Sequence, residues 1–286
     1  MSNAPHLIHL IQRELQPFYP EGEAHAIARM IAEDRFGISL TQVYASTARQ
    51  LSTAEMEELH AMIRKLQMGM PVQYVLGKAL FMGLSFEVSP GVLIPRPETE
   101  DLVTEALALL QESMVSHPEV ADAGCGSGCI GIAVKCLFPS ASVTAFDLSP
   151  LAVSQTRRNA ALLGADIRVT EANLLLTESL PTGPFHLIIS NPPYVTESER
   201  ENMDTQVKDH EPELALFVPD HDALRHYRAL GTWGLRALRS GGHLLAEINS
   251  SKGAETEALF AKLGYTDVVI KTDRFNKERI LLCQKP

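Results

Sequence analysis

The chain has 286 residues, 45% of them apolar and 21% charged, with a formal net charge of -10. This length carries a prior of two domains with full cores, and the composition excludes a disordered or fibrous chain. The acidic balance argues against a protein whose main task is to coat nucleic-acid phosphates, and no apolar run approaches the ~18 residues of a membrane helix.

Residues 1 to about 70 carry helical periodicity only. Leu7, Leu10, Ile11 and Leu15 recur at helical spacing, as do Ile27, Met30 and Ile31 ahead of Gly37. Ser52 followed by Glu55 is a capping-box signature before the stripe Met56, Leu59, Ile63 and Leu66, which Gly69 and Pro71 end. Tyr74–Leu76, Ala79–Met82 and Leu84–Val88 are short β-like runs parted by Gly77 and Gly83, read as a hairpin joining two domains. Pro95-Arg96-Pro97-Glu98-Thr99-Glu100 is a rigid entry to a helix bearing Leu102, Val103, Ala106 and Leu110.

Strands and helices alternate from there. Strands are expected at Val120–Ala123, Ser142–Phe146, Ile167–Thr170, Phe185–Ser190 and His243–Ile248. Helices are expected through Phe138, at Pro150–Leu163, at Ala223–Leu238 and at Ala254–Leu263. Such alternation marks an α/β fold with a mostly parallel sheet. The strand-like runs Thr266–Ile270 and Ile280–Gln284 are parted only by Lys271–Arg279, too short for a parallel crossover, so they must pair antiparallel. Three segments follow: a helical domain over 1–72, a β-hairpin linker over 73–92 and an α/β domain over 93–286.

Three constellations carry chemistry. Asp122-Ala123-Gly124-Cys125-Gly126-Ser127-Gly128 follows a strand and opens a helix, so glycines let a ligand approach the backbone where N–H groups are free. Gly126, Gly128 and Gly131 also match the dinucleotide fingerprint, and Asp147 ends the next strand where a ribose would sit. Both NAD and S-adenosylmethionine carry that ribose. Asn191-Pro192-Pro193-Tyr194 follows the strand Phe185–Ser190. Its prolines remove two backbone donors, leaving carbonyl acceptors beside the Asn191 oxygen and the Tyr194 ring. This is a rigid cradle for a planar group bearing an NH2. Pro95–Glu100 is either a charged lip over the site or a helix start with favourable acids. Glu211 and Pro212, within the long segment Thr196–Asp222, are either a substrate-facing loop or a structured connection.

Cys125, Cys129, Cys136 and Cys283 form no C-x-x-C pair, and the ten histidines show no ligand spacing. No metal site is expected. Cys125 and Cys129 read as packing residues, and the thiols fit a reducing compartment. Met1–Gln16 has no basic segment followed by an apolar one, so no signal peptide is expected and the location is cytoplasmic.

The glycine turn, the acidic end of the second strand, the Asn-Pro-Pro-Tyr loop and the antiparallel last hairpin resemble a class I S-adenosylmethionine-dependent methyltransferase. Pro71-Val72-Gln73-Tyr74-Val75-Leu76-Gly77, Leu93-Ile94-Pro95-Arg96-Pro97-Glu98-Thr99-Glu100, Gly126–Gly131, Ser190–Val195 and Glu211-Pro212 narrow the likeness to the HemK/PrmC-type family. Its members methylate N5 of the glutamine in the GGQ motif of peptide-chain release factors. The resemblance implies a Rossmann-like sheet, S-adenosylmethionine as cofactor with S-adenosylhomocysteine as product, and a helical domain that docks the protein substrate. It places Gly124, Cys125, Gly126, Ser127 and Gly128 at the cofactor's methionine part and Asp147 at its ribose. Leu174 falls near adenine, beside Asn173 where relatives carry an acid, and Asn191 also reaches the cofactor. Asn191, Pro192, Pro193 and Tyr194 hold the substrate amide, with Asn191, Pro192 and Tyr194 as the catalytic set. Glu247-Ile248-Asn249 resembles the family's Glu-Ile-Gly, with Asn249 in place of glycine. A monomer with no stable nucleic-acid partner and no membrane contact is expected.

Three rivals stay open on the residues. An amino-methyltransferase acting on an exocyclic NH2 of a nucleic-acid base shares the Asn-Pro-Pro-Tyr cradle. An NAD dehydrogenase fits the glycine pattern but not the last hairpin. A module that docks a translation factor without modifying it would leave the cradle unused.

Overall fold

The structure, a computed structural model, describes residues 4–39, 41–42 and 50–286. The chain divides into two compact units, Met1–Lys78 with Asp204–His210, and Ala79–Met203 with Glu211–Pro286.

The smaller unit holds α1 (Ala4–Leu15), α2 (Glu21–Asp34), α3 (Thr53–Gln67) and α4 (Val72–Leu76). The helical stripes meet in one core: Leu7, Ile11 and Leu15 pack with Ile27, Ile31, Leu59, Ile63 and Leu66. The capping box at α3 forms, with Glu55 N–H donating to Ser52 Oγ at 3.3 Å and Ser52 N–H donating to Glu55 Oε2 at 2.8 Å. The β-like reading of Tyr74–Leu76 is corrected: these residues lie in α4, which Pro71 opens and left-handed Gly77 closes. Val72, Val75 and Leu76, at i, i+3 and i+4, pack on the helical core. That burial outweighs the strand preference of Tyr and Val.

The larger unit begins at Ala79, within the hairpin of β1 (Lys78–Phe81) and β2 (Leu84–Glu87), turned by Met82 and Gly83, both at the positive φ of a tight two-residue turn. Phe81 and Phe86 are buried in the same core as α5 (Thr99–Glu112), so the hairpin packs as part of this unit. Next come β3 (Glu119–Ala123), α6 (Cys129–Leu137), β4 (Ser142–Asp147), α7 (Pro150–Leu162), β5 (Arg168–Glu171) and β6 (Phe185–Ser190). The segment after β6, Thr196–Asp222 in the sequence reading, is structured. It contributes to β7 (Val195–Thr196), then α8 (Thr205–His210), which belongs to the smaller unit, then α9 (Glu213–Leu216) and β8 (Phe217–Val218). The chain closes with α10 (Arg225–Ala237), β9 (Leu238–Glu247), α11 (Gly253–Leu263), β10 (Thr266–Thr272) and β11 (Glu278–Gln284).

Seven strands form the main sheet in the order β10-β11-β9-β6-β3-β4-β5. β3, β4, β5, β6 and β9 are parallel, while β11 runs antiparallel to both β9 and β10 as the short final loop requires. One face is covered by α5 and α6 through Leu102, Val103, Ile130 and Ile132. The other is covered by α10 and α11 through Tyr227, Leu230, Trp233 and Phe260. Burial on both faces explains why β6 reads as a continuous apolar run rather than an alternating one. Among the described residues no helix is long and apolar enough to cross a membrane.

Candidate active site

The register of the parallel strands sets the site. Ala123 pairs with Phe146 and with Ser190, and Ser190 pairs with Ala246. Asp147, Asn191 and Glu247 each lie one residue beyond this row, so the carboxyl ends of β4, β6 and β9 deliver them to one edge of the sheet. Open α/β sheets bind ligands at that edge. A cavity of about 250 Å³ opens there, walled by Gly124, Gly126, Asp147, Leu174, Asn191, Pro192 and Pro193.

The glycine turn shapes one wall. Gly124 and Gly126 sit at φ of +74° and +55°, and a Cβ at either would meet no protein atom within 4 Å. The space beside them is therefore open to a ligand. Gly128 is different: at φ +83° its Cβ would lie 2.7 Å from Ile132 Cδ1 and Thr156 Cγ2. It permits tight packing of the turn on α6 and α7. Asp147 Oδ2 accepts the Gly126 N–H at 2.9 Å and Oδ1 accepts the Ser149 N–H at 2.8 Å. Burial raises its carboxyl above the usual range, and these backbone donors pull it back. The carboxyl, on the cavity wall, retains acceptor capacity for a ligand hydroxyl.

Cys125, Ser127 and Gly128 are not on the cavity wall. Cys125 is buried against Ala145, Val153 and Val169, and Ser127 is buried with its carbonyl accepting from Asn159 Nδ2 at 2.8 Å. Burial pushes the Cys129 thiol up to about 12, the behaviour of an inert packing residue. Deeper in the turn, Asp122 is fully buried and accepts the Gly131 N–H at 2.8 Å through Oδ2, while Oδ1 has no partner among the described residues. Desolvation raises its carboxyl to about 7.

The opposite wall is the Asn-Pro-Pro-Tyr loop. Asn191 Nδ2 donates to Thr99 Oγ1 at 3.2 Å, and Thr99 Oγ1 donates to Glu247 Oε2 at 2.6 Å. Tyr194 does not line the cavity: its hydroxyl donates to Glu247 Oε1 at 2.9 Å and its ring packs on the sheet core. Burial and the neighbouring Glu247 raise the phenol. Burial likewise raises the Glu247 carboxyl, against the two hydroxyl bonds and Arg279. Leu174 lines the cavity as expected, and Asn173 beside it closes a turn by accepting the Leu175 N–H at 2.9 Å.

Two more ties hold the rim. Glu211 Oε1 accepts from Arg96 Nη2 at 2.6 Å, and Oε2 accepts the Ile94 N–H at 3.2 Å. The Glu211 side chain is 1% exposed and that of Arg96 30%. Pro95–Glu100 and Glu211-Pro212, separate features in sequence, are thus one clamp, and Pro212 lies on the cavity wall. Asn249 takes up its position at φ -65°, which asks for no glycine. Its Nδ2 donates to the Tyr194 carbonyl at 3.2 Å and to Glu199 Oε2 at 2.8 Å, and its Oδ1 accepts the Ser251 N–H at 2.9 Å.

Thr99, in sequence one residue of the Pro95–Glu100 helix entry, and Glu247, in sequence the first residue of Glu247-Ile248-Asn249, meet across 148 residues. Arg225 and His226 also line the cavity. Burial and Arg225 lower the His226 imidazole. No local pattern singles out Arg225 or His226, and none announces the contact between Thr99 and Glu247.

Residues 99–209 match the methyltransferase small domain, and residues 6–77 match the PrmC N-terminal domain. Among curated proteins, the chain is 38% identical over 275 residues to a release factor glutamine methyltransferase of Bacteroides thetaiotaomicron, covering 96% of this chain and 98% of that one. It is 35% identical over 268 residues to one of Flavobacterium psychrophilum, covering 93% and 94%. Among solved structures, the Thermus thermophilus 16S rRNA N2 G1207 methyltransferase matches with a TM-score of 0.51 at 18% identity, over 73% of this chain and 50% of that one. A Pyrococcus furiosus methyltransferase matches at 0.50 and 16%, over 71% and 90%. At such identities these two likenesses speak for the fold alone. At 38% and 35% identity over 96% and 93% of its length, and with residues 6–77 matching the PrmC N-terminal domain, this chain belongs to the release factor glutamine methyltransferase family.

Proposed function

We propose that the protein transfers the methyl group of S-adenosylmethionine to the side-chain amide nitrogen of the glutamine in the GGQ motif of peptide-chain release factors. The observation that carries this reading is that Asn191 and the two prolines wall the same cavity as Gly124, Gly126 and Asp147. A cofactor nook and an NH2 cradle thus share one space.

The residues present fit S-adenosylmethionine. The open space at Gly124 and Gly126 admits its chain, Asp147 has lone pairs for ribose hydroxyls, and Leu174 offers an apolar wall to adenine. Once bound, the cofactor supplies an electrophilic sulfonium methyl. The protein then has to present the amide nitrogen in line, an orienting effect worth roughly 7–11 kcal/mol in favourable cases. Asn191 Oδ1 and the Pro192 carbonyl accept the two N–H bonds of the glutamine amide. Positive charge builds on that NH2 as its nitrogen forms the new bond. The two fixed acceptors therefore bind the transition state more strongly than the ground state. As the N–CH3 bond forms, the sulfonium S–CH3 bond breaks to leave a neutral thioether; the now acidic amide proton passes to water, and no strong base is required of the protein.

The helical unit, with its own core and its match to the PrmC N-terminal domain, is the docking element for the protein substrate in this reading. The reaction is placed in the cytoplasm with translation. Incubation with labelled S-adenosylmethionine and, separately, unmethylated release factor, RNA and DNA tests the proposal. Label should enter the release factor alone and vanish when the GGQ glutamine is replaced. Label in RNA or DNA with none in the release factor would move the substrate to a base NH2.

A further inference from the structure

The amide of Asn191 has two faces, a carbonyl that accepts and an NH2 that donates. Rotation by half a turn exchanges them at little cost in shape, yet only one orientation serves the cradle. If the NH2 pointed into the cavity, it would confront the substrate's own NH2, donor against donor. Something must hold the amide the useful way round.

The chain behind Asn191 does so. Glu247 is 1% exposed and stands at the end of β9. Both of its carboxyl oxygens act as acceptors, Oε2 toward Thr99 and Oε1 toward Tyr194. Thr99, 2% exposed at the first turn of α5, lies 2.6 Å from Glu247 Oε2 and must spend its single proton there. Its oxygen then faces Asn191 with lone pairs only. The group 3.2 Å away has to be the Asn191 NH2. The Asn191 oxygen is thereby left for the cavity. Tyr194, donating to Glu247 Oε1 at 2.9 Å, occupies the other carboxylate oxygen and fixes the carboxylate plane.

We infer that Thr99 and Glu247 are positioning residues that set the orientation of the Asn191 amide and so create the acceptor on which methyl transfer depends. Neither touches the cavity: Asn191 lines it while Thr99 and Glu247 lie behind. The polarity runs one way, from a buried carboxyl acceptor through a hydroxyl to an amide. Because Thr99 and Glu247 are both buried, water cannot supply a substitute donor or acceptor behind Asn191. This inference rests on the methyl-transfer reading above and deepens it.

Thr99→Val and Thr99→Ser in the full-length protein test it. Valine keeps the shape and removes the hydroxyl, whereas serine keeps the hydroxyl. Thr99→Val should lower kcat for release factor methylation about 10²-fold, the scale of losing one preorganised polar contact at a reacting centre. KM and cofactor Kd should stay within about threefold of wild type, and Thr99→Ser should restore kcat to within about threefold. A purely structural role would lower both variants together or shift Kd. The inference is overturned if Thr99→Val keeps wild-type kcat, or if Thr99→Ser falls as far as Thr99→Val. NMR of selectively labelled asparagine side chains reads the orientation without any substrate. The Asn191 amide protons should show a through-space contact to the Thr99 side chain, lost in Thr99→Val; absence of that contact in the wild type overturns the orientation itself. A wild type that shows the contact but leaves the release factor unmethylated would instead refute the methyl-transfer reading and keep the orientation.

Discussion

Glu211 makes the sharpest test of how the site is held. Replacing it with alanine removes the acceptor for Arg96 Nη2 at 2.6 Å and for the Ile94 N–H at 3.2 Å. Breaking a buried ion pair from one side costs about 3–5 kcal/mol. Arg96 is 30% exposed, so water recovers part of its solvation and the lower end applies. The Ile94 N–H belongs to a residue 2% exposed and adds roughly 1 kcal/mol as an orphan donor. The sum is about 4 kcal/mol. For a unit of this size each kcal/mol moves the melting midpoint by roughly 2–4 °C, so Glu211→Ala should lower it by about 8–16 °C. Glu211→Gln keeps an acceptor for one partner and should lose about half as much. Thermal unfolding followed by circular dichroism, with urea titration as a second measure, provides the comparison. A fall below about 2 °C for Glu211→Ala would show that the clamp does not hold the rim. Cofactor affinity should weaken in parallel, since Pro212 beside Glu211 walls the cavity.

Asn191→Ala should lower kcat at least 10²-fold while cofactor Kd, read by calorimetry, changes less than about threefold; a near-wild-type turnover would remove Asn191 from the mechanism. Gly128→Ala combines a φ of +83° with contacts of 2.7 Å to Ile132 and Thr156, and should cost about 2–4 kcal/mol in denaturant unfolding. Asp122, raised to about 7 in the fold from an ordinary value of 3.8, binds a proton more tightly folded than unfolded. Its contribution is therefore fully present below pH 3.8 and is lost as pH rises through about 7. Asp122→Asn should flatten the stability profile across that window, by a few kcal/mol at most, and an unchanged slope would assign the pH dependence elsewhere.

Much of this arrangement is legible in the sequence because it rests on local rules. The alternation from Val120 onward gives the parallel sheet, and the nine residues Lys271–Arg279 are too few for a crossover, so β11 must turn back. Gly124 and Gly126 and the Asn191 loop announce themselves by strand-end position. α4 is hidden because five residues rich in Tyr and Val resemble a strand until burial against α1 to α3 is known. The membership of Asp204–His210 in the smaller unit is equally invisible, since six helical residues of polar character carry no periodicity worth reading. Tyr194 reads as a wall for the substrate, yet its hydroxyl is drawn to Glu247 behind the cavity. Asn249, in sequence only a departure from the family's glycine, is in space a tie between the Tyr194 backbone and Glu199. These contacts join residues 50 or more apart, which periodicity and propensity cannot express.

Mass spectrometry of an unmethylated release factor after incubation with the full-length protein and S-adenosylmethionine puts the whole reading at stake. A gain of about 14 Da, localised by fragmentation to the GGQ glutamine side chain, is the expected result, since one methyl replaces one hydrogen on the amide the cradle holds. An unmodified glutamine, in the presence of confirmed cofactor binding, would contradict it.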